Sequence, residues 1–276
     1  MSIDRLQGLL HRFQLRARGF HAGPLCGIHE FGVRPGIGQL HLVRRGPLEA
    51  HHGAAGVERI EQPSLIFYPR PLQHRFVCDD RRGADMACAD IELGAGADTP
   101  IAAALPPVLV LPLTALPGAG GLLDLLFAEA FAERCGRQQV VDRLFEVLVV
   151  LLLRHLIDSG QVADGTLAGL AHPRLARALT AMHDAPQQAW PLPRLARCAG
   201  MSRSAFADAF RRTVGMPAGQ YLARYRIALA QDLLRRGTPL ARVASEVGYG
   251  SSAALSRAFS AHCGVAPRRW RARLPA

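Results

Sequence analysis

The chain has 276 residues, 49% hydrophobic and 20% charged, a composition that excludes a disordered or fibrous class and leaves room for two domains with cores of their own. Its net charge of +11 is uneven: from His172 to Ala276 there are 17 Arg against four acids, and before that 16 Arg against 18 Asp and Glu. A near-neutral front joined to a basic back points to a polyanion as the partner of the back half.

Ile3, Leu6, Leu9, Leu10 and Phe13 lie at helical spacing and predict a short helix within residues 1–18. The N-terminus has no basic segment followed by an apolar run, so no signal peptide is expected. The longest apolar run of concern, Val147 to Leu153, falls far short of the ~20 residues of a membrane helix. A cytoplasmic protein without a membrane partner is therefore expected, and its six Cys are read as reduced thiols. From about Ala22 to Leu93, short apolar runs such as Gln39–Val43 and Ser64–Tyr68 are broken by Gly and Pro, which predicts many short strands in a small sandwich or barrel. His51 and His52 are adjacent and read as a solvated turn. Leu105 to Pro112 reads as an extended segment crossing back over the strands.

Residues 122–158 give two helical runs broken near Gly136. Leu144, Leu148, Leu151, Leu152 and His155 form one stripe that suits a core or a homodimer seam. Ser159 to Gly169 is Gly-rich and reads as a linker, and an all-helical segment follows from His172. The expected fold class is α+β. Its parts are an N-terminal barrel-like β domain over 1–110, a helical linker and dimerisation segment over 111–165, and an all-α domain over 172–276.

The strongest signal is an internal repeat. Leu192, Leu195, Ala196 and Gly200 match Leu240, Val243, Ala244 and Gly248, all 48 apart. After one inserted residue the offset becomes 49, pairing Ser202 with Ser251, Phe206 with Leu255, Phe210 with Phe259, Gly215 with Gly264 and Tyr221 with Trp270. The small Ala196 and Ala244 let a second helix cross closely. Gly200 and Gly248 sit where the first helix must end in a left-handed residue. Ser202 and Ser251 suit the N-cap of the next helix. The i,i+4 pairs Phe206/Phe210 and Leu255/Phe259 pack that helix down and leave its other face free for a major groove. Two helix-turn-helix units are thus expected, at about 192–214 and 240–263, joined by a long helix over Gln220 to Arg236.

Gly200-Met-Ser-Arg-Ser-Ala-Phe, Gly248-Tyr-Gly-Ser-Ser-Ala-Ala-Leu-Ser-Arg-Ala-Phe and Gly264-Val-Ala-Pro-Arg-Arg-Trp-Arg resemble the bacterial AraC-type regulators, the arabinose-regulator family. The resemblance implies a DNA-binding transcription regulator, an activator that works with RNA polymerase on double-stranded promoter DNA. It places base-reading positions on Arg203, Ser204, Ala207 and Asp208 in the first unit, and on Ser252, Ala253, Ser256 and Arg257 in the second. Ser204 and Ala207 are short, and Asp208 is an acid where a basic or amide side chain is common. Arg257 has the reach for bidentate contact with guanine, so the second unit is expected to carry more sequence information. Arg211, Arg212, Arg268 and Arg269 are expected at phosphates, which fix position without reading sequence.

In the front half, Ile66-Phe-Tyr-Pro-Arg-Pro-Leu-Gln-His74 with Gln39-Leu-His-Leu-Val43 is similar to the cupin-like sensor domain of one branch of these regulators, nearest to the reactive-chlorine responders. Two departures stand out. Gln62-Pro-Ser replaces the usual Pro-Gly-Asp, and Pro71 replaces the Gly of a Pro-Arg-Gly turn. Three readings of Cys26, His41, His74 and Cys88 stay open: a tetrahedral zinc site, redox-active thiols on Cys26 and Cys88 as the resemblance implies, or ordinary core residues. The function expected is therefore a regulator, not an enzyme, controlled by a small-molecule, metal or redox signal. The alternatives are a metal-dependent cupin enzyme with a helical appendage and a DNA-binding protein with no sensor.

Overall fold

The computed structural model describes residues 4–94 and 99–273. These fall into two compact units, each treated by itself. One contains residues 15–94 and 105–159; the other contains 4–14, 99–104 and 160–273.

The first unit is built from nine strands: β1 (Leu15–Leu25), β2 (Gly27–Phe31), β3 (Gly38–Arg45), β4 (Leu48–His51), β5 (Val57–Ile60), β6 (Ser64–Tyr68), β7 (His74–Cys78), β8 (Ala84–Leu93) and β9 (Leu109–Pro112). They pair antiparallel throughout, in a five-stranded sheet ordered β1-β8-β3-β6-β9 and a four-stranded sheet ordered β2-β7-β4-β5. Among the described residues no ladder joins the two sheets, so the expected barrel is an open sandwich. Its core draws Val43, Ile66, Tyr68, Met86 and Cys88 from one sheet and Leu48, Ala50, Phe76 and Cys78 from the other. β9 is the extended return segment read from Leu105 to Pro112, and it closes one edge against β6.

β3 and β6 show no clean in-out alternation because both faces are covered. Helices α3 (Gly120–Ala130) and α4 (Arg137–Ser159) belong to this unit, separated by Gly136 at φ +75°. α4 docks on β1 at a bulge between Gly19 and His21. There Asp142 accepts from the Gly19 N–H at 2.7 Å, and Gln138 donates to the Gly19 carbonyl at 2.9 Å. The bulge frees backbone groups from the ladder and the helix satisfies them.

The second unit is all helical: α1 (Gln7–Arg12), α2 (Pro100–Ala103), α5 (Gly165–Ala171), α6 (Leu175–Asp184), α7 (Leu192–Ala199), α8 (Arg203–Val214), α9 (Ala218–Arg235), α10 (Leu240–Val247), α11 (Ser252–Cys263) and α12 (Pro267–Ala272). The helix expected within residues 1–18 is confined to α1, and Leu15 already stands in β1. The stretch read as a linker contains α5, whose Thr166 to Leu170 are all buried. Its glycines serve close packing rather than flexibility. A Cβ on Gly169 would meet Leu179 at 2.5 Å and Val214 at 2.9 Å. No described helix is long and apolar enough to cross a membrane.

Candidate nucleic-acid interface

The repeat in sequence is a repeat in space. α7 ends at Gly200 (φ +62°) and α10 at Gly248 (φ +86°), both left-handed. Ser202 and Ser251 cap α8 and α11 by accepting the N–H of the residue three further on, at 3.2 and 3.1 Å. α8 and α11 have 12 residues each and end at the left-handed Gly215 and Gly264. Phe210 packs edge-on against Tyr221, and Phe259 edge-on against Trp270, each with centroids 5.7 Å apart. Each second helix is thus seated by the same cap, stop and aromatic corner.

What this seating leaves outside is the opposite face. Phe206, Phe210, Leu255 and Phe259 are fully buried. Arg203, Ser204, Asp208, Arg211 and Arg212 on α8 are exposed, with Ala207 half-buried between them. On α11, Ala253 and Arg257 are exposed, while Ser252 and Ser256 are half-buried; Arg268 and Arg269 are exposed on α12. None of these six guanidiniums has a partner among the described residues. Unpaired arginines along two parallel-built helices are what phosphate and base contact require.

One element of the interface was missed from sequence. Arg226 of α9 donates to the carbonyls of Pro186 and Gln188 at 2.8 and 2.9 Å, tying the loop before α7 to the long helix. The same loop presses on the turn of the other unit, since a Cβ on Gly248 would lie 2.7 Å from both Cα and O of Gln187. Tyr249 sits under the Arg226 guanidinium at 5.9 Å. Burial pulls the Arg226 pKa down from its ordinary value. This staple, together with the 18 residues of α9, fixes the spacing of the two units. The available signal was the tripeptide Pro186-Gln-Gln, a short loop facing an Arg on an otherwise apolar helix face.

The four Cys and His positions singled out in the sandwich are not gathered into one site. His41 and His74 meet, Nε2 to Nε2, at 2.9 Å. His74 donates its Nδ1 proton to the Leu72 carbonyl at 2.8 Å, so its Nε2 accepts and His41 Nε2 must donate. His41 Nδ1 is then a buried acceptor without a partner. Burial holds the His74 pKa down at about 4, and burial with His74 beside it holds His41 well below its ordinary range, so both are neutral. Phe31 and Tyr68 stack on the two faces of His74, at 4.9 and 3.7 Å.

Cys88 stands opposite His41 across the β3–β8 ladder, fully buried, with its thiol pKa pushed up by burial. Cys26 lies exposed at the turn between β1 and β2. Leu25 pairs with Ala84 while Cys88 pairs with His21. Cys26, one residue beyond Leu25 and beside Gly83, thus stands about five strand residues from Cys88, roughly 16 Å of rise along the backbone, where a disulfide needs Cα atoms within about 7 Å. Among the described residues no three His, Cys, Asp or Glu side chains gather to hold a metal, so the set does not fit tetrahedral zinc as arranged. The His51–His52 turn also differs from expectation. His52 is buried, and its Nδ1 is hydrogen-bonded to the Tyr68 hydroxyl at 2.7 Å.

A family model described as Cupin matches residues 4–158, and one described as a helix-turn-helix domain matches residues 195–273. A putative AraC-like transcription regulator of Streptomyces antibioticus is 43% identical over 134 residues, 48% of this chain and 44% of its own length. The chain thus spans under half the length of that relative and of its Streptomyces lividans counterpart. The RCS-specific HTH-type transcriptional activator RclR of Escherichia coli K12 is 26% identical over 254 residues, 87% of each chain. Among solved structures, the DNA-binding domain of AdpA in complex with a target DNA is 29% identical over 37% of this chain and 92% of its own, with a TM-score of 0.35. ToxT of Vibrio cholerae covers 96% of this chain and 98% of its own at 10% identity and a TM-score of 0.41.

Proposed function

The chain belongs to the AraC-type regulators with a cupin domain in front, and from that premise we propose that it is a sequence-specific, promoter-binding transcription regulator rather than an enzyme. The observation that carries the reading is the duplicated, Ser-capped second helix with an unpaired arginine face, set in a segment of strong positive charge. α8 and α11 enter successive major-groove segments on one side of the duplex. Arg203, Ser204, Ala207 and Asp208 face bases in one segment, and Ser252, Ala253, Ser256 and Arg257 in the next. Arg211, Arg212, Arg268 and Arg269 hold phosphates.

The sandwich is the sensing unit, and α3 with α4 form the homodimer seam; activation proceeds through RNA polymerase. A signal acts by favouring one conformation of the chain, whether it is a small molecule, a metal or an oxidant. The test of DNA recognition is a binding-site selection from random duplexes, followed by affinity measurements across a salt series. Enrichment of one sequence, with affinity lost when that sequence is mutated, is the expected result. Affinity that falls with salt but ignores sequence would leave only an architectural role.

A further inference from the structure

We infer that the helical unit holds a second binding site, for a small organic monocarboxylate with an apolar body, in a cavity of about 470 Å³ at the far ends of the two reader helices. That volume lies in the range of small-molecule sites, roughly 300–1,000 Å³. One part of its wall is apolar: Pro100 and Ala103 of α2, Val214 at the end of α8, and Met216 after it. Tyr221 and Tyr225 also line it. Their hydroxyls are already engaged, Tyr221 with His183 Nε2 at 2.6 Å and Tyr225 with the His183 carbonyl at 3.4 Å, so they offer ring surface.

Another part of the lining is polar: Thr166, whose hydroxyl donates to Tyr221, the exposed His262, and two charged groups that define the ligand. Arg224 lines the cavity with an exposed guanidinium that has no partner among the described residues. Two positions along α9, Arg226 is spent on backbone carbonyls. A permanently charged, planar, unpaired guanidinium facing a partly apolar wall matches a carboxylate in bidentate contact. Asp164 lines the same cavity, equally unpaired, and makes no cap bond to α5. Its charge opposes that of any anion in proportion, so a monoanion is favoured over dicarboxylates and phosphates.

The location gives the site a consequence. Val214 and Gly215 close α8, and His262 closes α11. A 12-residue helix is about 18 Å long, so the cavity lies one helix length from the base-reading first turns and does not compete with DNA. α2, which supplies one wall, lies in the chain between β8 and β9. A bound carboxylate therefore joins a segment bracketed by sensor strands to the helix that spaces the readers. This regulatory consequence rests on the DNA-binding reading; occupancy of the cavity does not.

Occupancy is tested by calorimetric titration of the full chain, without DNA, with phenylacetate, 4-phenylbutyrate and cyclohexanebutyrate. The uncharged 4-phenylbutanol and the cationic 4-phenylbutylamine serve as shape controls. Saturable one-site binding of at least one carboxylate is expected, about tenfold or more tighter than either the alcohol or the amine. Arg224→Ala should weaken the carboxylate about tenfold and leave the alcohol unchanged. Ala103→Phe, at an exposed position, should block both while thermal stability stays as in the parent. Absence of saturable binding by all three acids, or binding that both variants leave intact, overturns the proposal. Neither result bears on DNA recognition, which is measured separately.

Discussion

Gly248 and Gly200 hold the same place in the two units, yet the structure separates the cost of filling them. Both are left-handed, at φ +86° and +62°. An L side chain in that region costs about 1–2 kcal/mol. Around Gly200 a new Cβ meets nothing within 4 Å, so Gly200→Ala should cost only that strain. Around Gly248 the Cβ would lie 2.7 Å from Gln187 Cα and O, which are backbone and cannot rotate away. Overpacking of this kind adds about 1–3 kcal/mol, for a total of roughly 2–5 kcal/mol in Gly248→Ala. Urea unfolding followed by tryptophan fluorescence measures this directly, since both tryptophans, Trp190 and Trp270, lie in the helical unit. Because the Gln187 contact links the two helix-turn-helix units, Gly248→Ala should also weaken operator binding more than Gly200→Ala does. Equal destabilisation by the two substitutions would refute the argument that the Gln187 loop, rather than the turn conformation alone, fixes Gly248.

Arg257→Ala should relax preference at one base pair of the selected site, by about 1–3 kcal/mol of discrimination, whereas Arg268→Ala should weaken all sequences alike and reduce the salt slope by about one. A selection in which Arg257→Ala leaves base preference untouched removes Arg257 as the main reader. Burial, aided by Arg12, holds the His183 pKa at about 3, below its ordinary 6.5. The unfolded chain therefore binds the proton first, and this contribution to stability, full above pH 6.5, fades as the pH falls toward 3. Urea midpoints read by tryptophan fluorescence should drop over that window, and less steeply in His183→Gln; identical slopes would exclude His183 as the cause. Alkylation of the folded chain, mapped by mass spectrometry, should label the exposed Cys26 and Cys135 well before the buried Cys88. Early labelling of Cys88 would contradict the packing around His41.

The helix-turn-helix pair was legible because its constraints are local and stated twice. A left-handed glycine, a Ser cap and an i,i+4 aromatic pair each act within one turn of chain, and two copies at one offset leave little room for coincidence. The strands were legible as a class from their Gly and Pro punctuation, but closure was not. Whether nine strands form a ring depends on pairings between residues far apart in sequence, and here β2 and β5 end a separate sheet. α5 was hidden because its glycines read as flexibility, when Gly169 serves the approach of Leu179 and Val214. His52 was misread for a similar reason: the hydroxyl that holds it belongs to Tyr68 on the facing sheet. Cys26 and Cys88 looked like a pair in composition. Only the ladder register, with Cys88 opposite His21 and His41, shows how far along the strand they stand apart.

The repeat preserves scaffold and varies surface, and this bears on what kind of site the protein can read. At the offset of 49, the buried Phe206 and Phe210 correspond to Leu255 and Phe259, and the caps and stops coincide. The same offset sets Arg203 against Ser252, Ser204 against Ala253, and Asp208 against Arg257. Equivalent positions on two helices of equal length thus carry a carboxylate on one and a guanidinium on the other. A carboxylate accepts from cytosine N4, and a guanidinium donates to guanine O6 and N7. Two readers seated alike but carrying opposite charge at one depth cannot favour the same base there. On the proposed reading, the site for one chain is therefore not a direct repeat of one motif but two unlike segments. The anionic Asp208 further weakens phosphate attraction on its own side, so the second segment, under Arg257, dominates the choice of sequence.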